Sequence, residues 1–567
     1  MPHSTLLHEL RRVTPLDGVW DFAFPGDVDA ADIQPRSLRF DQRMAVPGAF
    51  DAMPGLAGSR GLAAYRAQVR VTPGREAFIE FDAVNIWCRV FVDGVQAGDD
   101  HAWGWTRFRR SLPAAAHALR EIVVLVDNRF DTARSPLHEH YFDYHHWGGI
   151  LRGVRLHEYS GPFLSSVRVT PLDPARGIIR MDLDAAGVDG PVEVGVAFDD
   201  GVARSVTAPF RAGTARIELR VPAPRLWGPD RPELHTARVR LGNDDLPVRF
   251  GLRTISADGD ALRINGRPVR LLGVNRHESH GATGGTLSDA QIVADVRILE
   301  DLGCNFVRGS HYPQDPRFLD LCDDRGLLVW EEGLAWQQKA RHFADPLFVT
   351  QHAEMLREMV AASYNHPSVV MWGYLNEGDS NEPTSRPIYS ASASLLRELD
   401  PARPVTYASH RPEADLNFDL SDIVSVNLYP GWYGGEDVAD PLGLVAPRLA
   451  EVAQLLKAGP ASGRPLILSE IGSEGLYGWH DAFEGYFTEE YQARHVTEAV
   501  RSLLADPRWA GIALWHFSDA RTYRGSRAMG RPRAYNNKGL LDEYRRPKQS
   551  YRAVRELYRS AHGSALA

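Results

Sequence analysis

The sequence is poor in cysteine, with only Cys88, Cys304 and Cys322 among its 567 residues. So few thiols, odd in number, exclude a framework of several disulfide bonds and are typical of a protein from a reducing compartment. The chain also lacks a run of about 20 apolar residues, which is the length that a membrane-spanning helix needs. Its first residues contain no apolar stretch of the signal-peptide type. We therefore expect a cytoplasmic protein that does not enter a membrane.

A strong charge of one sign is missing as well. The 64 basic and 73 acidic residues give a net charge of −9, and neither sign forms a long run. This balance argues against nucleic acid as the main partner. Hydrophobic residues make up 44% of the chain and aromatic residues 10%, as expected for a globular protein with an ample core. The length predicts about three or four domains.

The first 253 residues have the pattern of two β-sandwiches. Residues 1–158 contain short β-rich runs such as YRAQVRVT, AFIEFDAV and EIVVLVDN, bounded by Gly, Asp and Asn. Asp93-Gly94 separates two apolar runs, which is a signal for a β-hairpin. We predict a jelly-roll-like, sugar-binding type of sandwich here. Residues 159–253 contain further short strands at the spacing of an immunoglobulin-like sandwich.

From residue 254 to 567 strand-like runs alternate with helical stretches. The eight apolar runs are VRLLGVN, NFVRGSH, LLVWEEG, VVMWGYLNE, PVTYASH, DIVSVNLY, PLILSEIG and GIALWHFSD. Eight strand–helix units in about 300 residues predict a (β/α)8 barrel, whose active site forms at the C-terminal ends of the strands. The predicted fold class is therefore multidomain, with two β-sandwiches followed by an α/β TIM barrel.

Two glutamates lie at such strand ends, 93 residues apart: Glu377 in VVMWGYLNEGDS and Glu470 in PLILSEIGSEG. Hydrolysis of a glycosidic bond needs two carboxyl groups, one to protonate the leaving oxygen and one to attack the anomeric carbon or activate water. We predict that Glu377 is the general acid and base and that Glu470 is the nucleophile. The alternative is that each glutamate caps a helix or forms an ion pair at the barrel rim.

Other polar side chains also end predicted strands or follow them closely. These residues are His277, Arg308, His311, Asn376, Asn427, Tyr429 and Trp515. We expect His277 and His311 to bind sugar hydroxyls and Trp515 to contact the sugar. A metal site is the alternative for the histidines, but His277 and His280 are three residues apart rather than four, so NRHESH is not an HExxH motif. No metal or cofactor is predicted.

A compact polar segment, AYNNKGLLDEYRRPK, follows the last strand. Asn536 and Lys538 within it are suited to bind an anionic or strongly polar substituent of a sugar, since lysine supplies charge and asparagine a donor. The alternative is a solvated loop. We expect Arg545, Arg546 and Lys548 to be surface charges around the last helix.

Together these segments resemble glycoside hydrolase family 2 over nearly the full length, and its β-glucuronidase members most. FGLRTISADGDALRINGRPVRLLGVNRHE is similar to the start of the family's barrel, and RGSHYP, NHPSVVMWGYLNE and PLILSEIGSEGLYGWH are similar to its second, fourth and seventh strand segments. The resemblance implies a retaining exo-β-glycosidase that hydrolyses terminal β-D-glucuronides by double displacement. It implies a small-molecule or oligosaccharide β-glycoside as substrate and suggests a homo-oligomer.

The resemblance also implies roles for individual residues. Glu377 matches the acid/base, Glu470 the nucleophile, and Asn376 the asparagine that holds the sugar 2-hydroxyl. Asn536 and Lys538 match the Asn-x-Lys-Gly signature that binds the uronate carboxylate in β-glucuronidases.

Two further segments match parts of the family's substrate site. Asn427, Tyr429 and Tyr433, in VNLYPGWY, match a substrate-binding stretch in which Pro430 replaces a tyrosine. Asp143, in FDYHHWGGILR, resembles an aspartate of the N-terminal domain that reaches the sugar.

Two departures from the family bear on function. GLAWQQ follows Glu332 and contains no acidic residue, so a magnesium requirement is not expected. No long insertion follows the second barrel strand. A β-galactosidase or β-galacturonidase of the same family remains open as an alternative. A metal-dependent hydrolase and a non-catalytic carbohydrate-binding protein are the alternatives from other classes.

Overall fold

The structure, a computed structural model, describes residues 7–131, 143–434, 437–523 and 530–565. For residues 563–565 it describes the backbone only. The first part of the chain is built mainly from β-strands, with three short 3-10 turns between them. These strands are β1 (Arg12–Pro15), β2 (Gly18–Gly26), β3 (Gln42–Val46), β4 (Gly48–Ala49), β5 (Leu62–Arg70), β6 (Glu76–Phe81), β7 (Val84–Asn85), β8 (Trp87–Val92), β9 (Val95–Gln96), β10 (Phe108–Leu112), β11 (Leu119–Asp127), β12 (Gly149–Ile150) and β13 (Val154–Tyr159).

Ten of these strands form a sandwich of a four-stranded sheet, in the order β1-β13-β6-β10, and a six-stranded sheet, in the order β3-β2-β5-β11-β8-β9, and the other three form a small sheet in the order β4-β12-β7. The sequence of the central strand β11 is mostly apolar because both faces of the strand are buried. Ile122 and Val124 point into the core of the sandwich, whereas Val123 and Leu125 pack on the opposite face. The predicted hairpin at Asp93-Gly94 is confirmed, since it joins β8 to β9.

The second sandwich contains β14 (Phe163–Asp173), β15 (Ile178–Ala186), β16 (Gly190–Phe198), β17 (Ala203–Phe210), β18 (Thr214–Arg220), β19 (Trp227–Gly228), β20 (Arg231–Pro232), β21 (His235–Leu241) and β22 (Asp244–Phe250). Its two sheets have the orders β14-β15-β18 and β17-β16-β21-β22. Seven strands in two facing antiparallel sheets are typical of an immunoglobulin-like domain. The expected domain boundary after residue 158 falls at the end of β13, and the one after 253 follows β22. Both boundaries stay predictions.

A closed barrel of eight parallel strands follows, with β26 paired to β33, which confirms the predicted TIM barrel. A small antiparallel sheet precedes it, and two short strands come after it. The strands are β23 (Ile255–Asp258), β24 (Ala261–Ile264), β25 (Arg267–Val269), β26 (Leu271–Arg276), β27 (Phe306–Gly309), β28 (Leu328–Glu332), β29 (Val369–Asn376), β30 (Val405–Ser409), β31 (Val424–Asn427), β32 (Leu466–Glu470), β33 (Gly511–Leu514), β34 (Ala520–Arg521) and β35 (Tyr535–Asn536).

The helices of the barrel are α1 (Asp289–Leu302), α2 (Pro316–Arg325), α3 (Ala340–Phe343), α4 (Pro346–Ser363), α5 (Arg386–Leu399), α6 (Val445–Lys457), α7 (Glu489–Ala505) and α8 (Gln549–Ala565). Local sequence sets their ends. Before α1, Ser288 and Gln291 form a reciprocal capping box, and Gly303 ends the helix with φ +83°. No helix among the described residues has the length and apolar character needed to cross a membrane.

The first sandwich packs over the C-terminal side of the barrel. Buried Arg152 donates from Nε and Nη2 to the carboxylate of Glu278 at 3.1 and 2.9 Å. Trp105 stacks on Tyr312 with ring centres 3.9 Å apart. These contacts bring residues 143–147 of the sandwich to the strand ends, where the polar residues of the barrel converge.

Candidate active site

Glu377 lies directly after β29, at the C-terminal mouth of the barrel. Its backbone adopts a left-handed conformation, φ +53°, and its N–H donates to the carbonyl of Ala408 at 2.8 Å. Both carboxyl oxygens are engaged: Oε1 accepts from Asn427 Nδ2 at 2.8 Å and Oε2 from Gln337 Nε2 at 2.9 Å. The side chain is therefore held in one orientation although the residue is 9% exposed.

Glu470 is the last residue of β32 and is held just as firmly. Its Oε1 accepts from Arg308 Nη1 at 2.8 Å, and its Oε2 accepts from the hydroxyl of Tyr429 at 2.6 Å. A charge-assisted bond to each oxygen stabilises the carboxylate and fixes its direction. Such an arrangement suits a nucleophile that must be ionised and aimed at one carbon atom.

Arg308, at the end of β27, organises this part of the mouth from below. It donates to both oxygens of Glu332, from Nε to Oε2 at 2.9 Å and from Nη2 to Oε1 at 3.0 Å, and to the side-chain oxygens of Asn275 and Asn376 at 3.0 and 2.8 Å. Its guanidinium lies 4.6 Å from the ring centre of Trp330. All these groups are buried, and the one positive charge of Arg308 is shared between the carboxyl groups of Glu332 and Glu470.

Burial and mutual repulsion decide the protonation of these carboxyls. Burial first, and the neighbouring Glu377 second, raise the pKa of Glu470 to about 8, while Arg308 and Tyr429 act against the rise. Burial likewise raises the pKa of Glu332 to about 7 against the effect of Arg308. The influence of Glu377 on Glu470 means that the two predicted catalytic groups lie close enough to interact electrostatically.

Asn376 and Asn427 connect the two glutamates. Asn427 Nδ2 donates to Asn376 Oδ1 at 3.0 Å as well as to Glu377, and its own Oδ1 accepts from Ser469 Oγ at 2.7 Å. The buried Nδ2 of Asn376 has no partner among the described residues. Because a buried donor seldom stays unsatisfied, this N–H is available to a ligand hydroxyl, the role expected for Asn376.

His277, His311 and Trp515 form an aromatic wall beside Glu470. Trp515 stacks on His311 with ring centres 5.1 Å apart and meets His277 edge-on at 5.3 Å. Burial holds the pKa of both histidines well below the usual range, so both rings are neutral. Both ring nitrogens of His277 and Nε2 of His311 have no partner among the described residues. Neutral imidazoles with free nitrogens are suited to sugar hydroxyls.

A second polar cluster lies next to Tyr429. Lys538 is 1% exposed, and its Nζ donates to the hydroxyl of Tyr433 at 2.9 Å. The same Nζ lies 5.0 Å from the ring centre of Tyr433 and 5.8 Å from that of Tyr429. Lys538 thus lies near the ring of Tyr429, whose hydroxyl contacts Glu470. Tyr433 itself is 51% exposed and forms the outer wall of the cluster.

Arg531 is the second cation of this cluster. It donates from Nε and Nη2 to Asp143 at 2.8 and 2.7 Å and from Nη1 to the buried Glu474. Asn536 Nδ2 also donates to Asp143, at 2.8 Å. Burial acts to lower the pKa of the guanidinium, but Asp143, Tyr433 and Glu474 outweigh burial and raise it. Asp143 therefore reaches the barrel, where it pairs with Arg531 and Asn536.

Among the described residues, one group of three side chains has the spacing of a metal site: Asp320, Asp323 and His366. His366 Nδ1 lies 2.7 Å from Asp323, and Arg249 of the second sandwich donates to Asp320 at 2.7 Å. Arg249 therefore already supplies a positive charge to this group. The group lies near the start of β29, at the end of the barrel opposite Glu377. The buried histidines His277 and His311 belong to no such group in the described part of the chain.

The structure brings all twelve predicted site residues to one mouth, in two adjoining clusters. Sequence reasoning noted Arg308 without giving it a role, and it missed Gln337, Glu474 and Arg531. The prediction that Arg545 and Lys548 are surface charges was wrong: the ammonium of Lys548 is buried and donates to Asp519 at 2.7 Å, and the side chain of Arg545 is 9% exposed and donates to Asp295 at 2.7 Å. A lysine next to two arginines in a polar segment gives no sign of burial.

Comparisons with known proteins identify the family of the chain. A family profile described as "Glycosyl hydrolases family 2, TIM barrel domain" matches residues 255–562. The chain is 27% identical to a β-glucuronidase of Paenibacillus borealis, with 82% of each chain covered. It is also 27% identical to a β-glucuronidase of Streptococcus agalactiae serotype V, with 96% of each covered.

Solved structures of the same family superpose over almost the whole chain. A β-galacturonidase of Eisenbergiella tayi bound to galacturonate has a TM-score of 0.89, 32% identity and 98% coverage of both chains. A β-glucuronidase of Bifidobacterium dentium has a TM-score of 0.88, 26% identity and 97% coverage of both. The family expected from the sequence is confirmed. The chain belongs to glycosyl hydrolase family 2, and it is a glycoside hydrolase.

Proposed function

We propose that this chain is a retaining exo-β-glycosidase that removes terminal β-D-glucuronic acid from its conjugates. The observation that carries the proposal is the adjacency of the Glu377–Glu470 pair and the cluster around Lys538, which are joined through Tyr429. A uronide needs both clusters at once, because its scissile bond is at C1 and its carboxylate is attached to C5, on the other side of the ring oxygen. The similarity to β-glucuronidases supports this choice.

Charge balance in the second cluster supports an anionic substituent. Asp143 and Glu474 contribute two negative charges, and Lys538 and Arg531 contribute two positive charges. With Lys538 as the single cation, the cluster would carry a net negative charge and repel a carboxylate. With Arg531 present the cluster is neutral. A substrate carboxylate can then accept hydrogen bonds that the two cations now donate to Asp143 or Glu474.

The reaction follows from the orientation of the two catalytic groups. The carboxylate of Glu470 attacks the anomeric carbon while Glu377 gives its proton to the glycosidic oxygen, so that the alcohol leaves and a glycosyl ester forms. Water then gives a proton to Glu377 and attacks the same carbon, which releases Glu470. The electrostatic influence of Glu377 on Glu470 supports the close spacing that retention requires.

A β-galacturonide is the second candidate, because the galacturonidase of Eisenbergiella tayi is 32% identical over nearly the full chain. The two sugars differ only in the configuration at C4 and present the same carboxylate. A neutral β-galactoside does not need the cations of the second cluster.

A panel of aryl β-glycosides tests the proposal: glucuronide, galacturonide, galactoside, mannoside and glucoside. We expect the glucuronide to give the highest kcat/KM and NMR to show the β-anomer as the first product. Lys538→Ala should reduce kcat/KM for the glucuronide about 10- to 100-fold, the value of one charged hydrogen bond, and affect the galactoside much less. Lys457→Ala, on α6 far from the site, is the matched control. An equal loss on both substrates would contradict the carboxylate contact, and an α-product would contradict retention.

A further inference from the structure

Gln337, in the loop between β28 and α3, contacts the acid/base directly. Its Nε2 donates to Glu377 Oε2 at 2.9 Å. The donor is a neutral amide, and no sequence motif identifies this glutamine. The contact is on the oxygen of Glu377 opposite to the one bound by Asn427.

The backbone fixes the position of Gln337. Its N–H donates to the carbonyl of Asn376 at 2.8 Å, and the N–H of Asn376 donates to the carbonyl of Ala335 at 2.9 Å. The loop is thereby joined to the end of β29, one residue before Glu377. Gln337 adopts a left-handed conformation with φ +51°, which a glutamine seldom takes without a constraint. The amide is therefore held beside the carboxyl group by main-chain bonds.

The two oxygens of Glu377 are in different situations. The amide of Asn427 is locked, because its oxygen accepts from Ser469 and its nitrogen serves both Asn376 and Glu377. Gln337 is half-buried, and the structure gives its side-chain oxygen no partner among the described residues. Oε1 of Glu377 is thus tied into the barrel wall, and Oε2 is the oxygen that can exchange a proton.

We propose that Gln337 is a positioning residue for proton transfer: its amide holds Oε2 of Glu377 toward the leaving group and stabilises the carboxylate that remains after the proton has passed to the glycosidic oxygen. This inference rests on the proposed role of Glu377 as the acid/base. A donor to the carboxylate strengthens the acid, so Gln337 assists the first step most when the leaving alcohol is a poor one.

Several groups besides Gln337 act on Glu377 and enter its pH profile. Glu470 faces it across the mouth, and the ring of His410, at the end of β30, is also close enough to interact with it. His311 and Tyr429 interact with it from the nucleophile side. A variant of Gln337 leaves all four in place, so the difference between variant and wild type isolates the amide.

The test compares Gln337→Met, which keeps the volume and removes the amide, with the wild type on two uronides of the preferred sugar. Phenol is a poor leaving group and needs the acid, whereas 2,4-dinitrophenol hardly needs it. We expect kcat/KM for the phenyl uronide to fall about 10-fold and that for the dinitrophenyl uronide to fall less than about 2-fold. The alkaline limb of the pH profile should move to higher pH, and further in Gln337→Glu, where a second carboxylate opposes ionisation.

Equal losses on the two substrates, or an unmoved alkaline limb, would overturn the inference. The ratio of the two rates does not depend on the folded fraction, since both substrates meet the same enzyme preparation. Gln454→Met, on the exposed face of α6, is the matched control. Glu377→Ala tests the acid/base role of Glu377 independently of the role of Gln337. If this variant also lowers both rates equally, the acid/base assignment itself is wrong.

Discussion

Arg308 offers the sharpest test of how the barrel mouth is held together. The change Arg308→Met removes the charge and six hydrogen bonds, which go to Glu332, Glu470, Asn275 and Asn376 at distances between 2.7 and 3.0 Å. Removing one partner of a buried ion pair costs about 3–5 kcal/mol, because the other charge stays buried and unpaired. We expect a loss of this size in the free energy of unfolding of the barrel at pH 8.

The loss should depend on pH. Burial raises the pKa of Glu332 to about 7 and that of Glu470 to about 8, both above their ordinary 4.5. The folded state therefore binds protons more tightly than the unfolded chain, and the stability that this gives is lost as the pH rises from about 4.5 to about 8. Arg308 opposes this fall. At pH 5 both carboxyls are protonated, so the variant loses only neutral partners, at about 1 kcal/mol each or less.

Urea unfolding followed by tryptophan fluorescence at pH 5 and pH 8 measures the difference. Arg276→Met is the matched control, since Arg276 is also buried and donates to Asp295 at 3.0 Å. Arg545 and Arg276 outweigh the effect of burial and hold the pKa of Asp295 below its usual value, so that carboxyl stays ionised from pH 5 to pH 8. The control should lose the same stability at both pH values. The reasoning is refuted if Arg308→Met also shows no pH dependence, or costs less than about 1 kcal/mol at pH 8.

Three further outcomes follow from the same geometry. Glu470→Gln should reduce kcat by at least about 10⁴-fold, because the covalent step needs its carboxylate; turnover near the wild-type rate in a steady-state assay would exclude it as the nucleophile. Tyr429→Phe should lower kcat/KM about 10- to 100-fold and move the acidic limb of the pH profile upward, because the hydroxyl stabilises ionised Glu470; an unmoved limb would mean that the bond has no such effect. Exhaustive chelation should leave the rate unchanged, since Arg249 already neutralises the acidic group of α2; loss of activity restored by a divalent cation would favour the metal-dependent alternative.

The barrel could be predicted because its strands are buried on both faces. Parallel strands between helices read as apolar runs, and their C-terminal ends are marked where polar residues interrupt the run. Glu377 and Glu470 can be predicted in this way, because each of them ends such a run. The left-handed backbone conformation of Glu377 could not be predicted, because the neighbouring residue types do not require a positive φ at this position.

The partners of the catalytic groups could not be predicted, because they depend on tertiary neighbours. Arg531 is one of several arginines in the segment RTYRGSRAMGRPR, and nothing in the sequence distinguishes it from Arg533, which pairs with Glu543 instead. Glu474 lies four residues after Glu470 in a loop, and only the fold shows that it turns toward Lys538. Charge counting along the chain therefore suggests a polar segment, and the structure decides which of its charges form the site.

The two clusters have opposite electrostatic requirements, and the order of charges across the mouth meets both. The nucleophile must be anionic and must not repel the carboxylate of a uronide. Arg308 and Glu332 lie on the far side of Glu470, whereas Lys538 and Arg531 lie beyond Tyr429. Tyr429 therefore separates the nucleophile from the cluster in which Lys538 and Arg531 can donate hydrogen bonds to a carboxylate. A uronide bound in the reverse direction would place its carboxylate against that of Glu470, so charge repulsion disfavours this orientation.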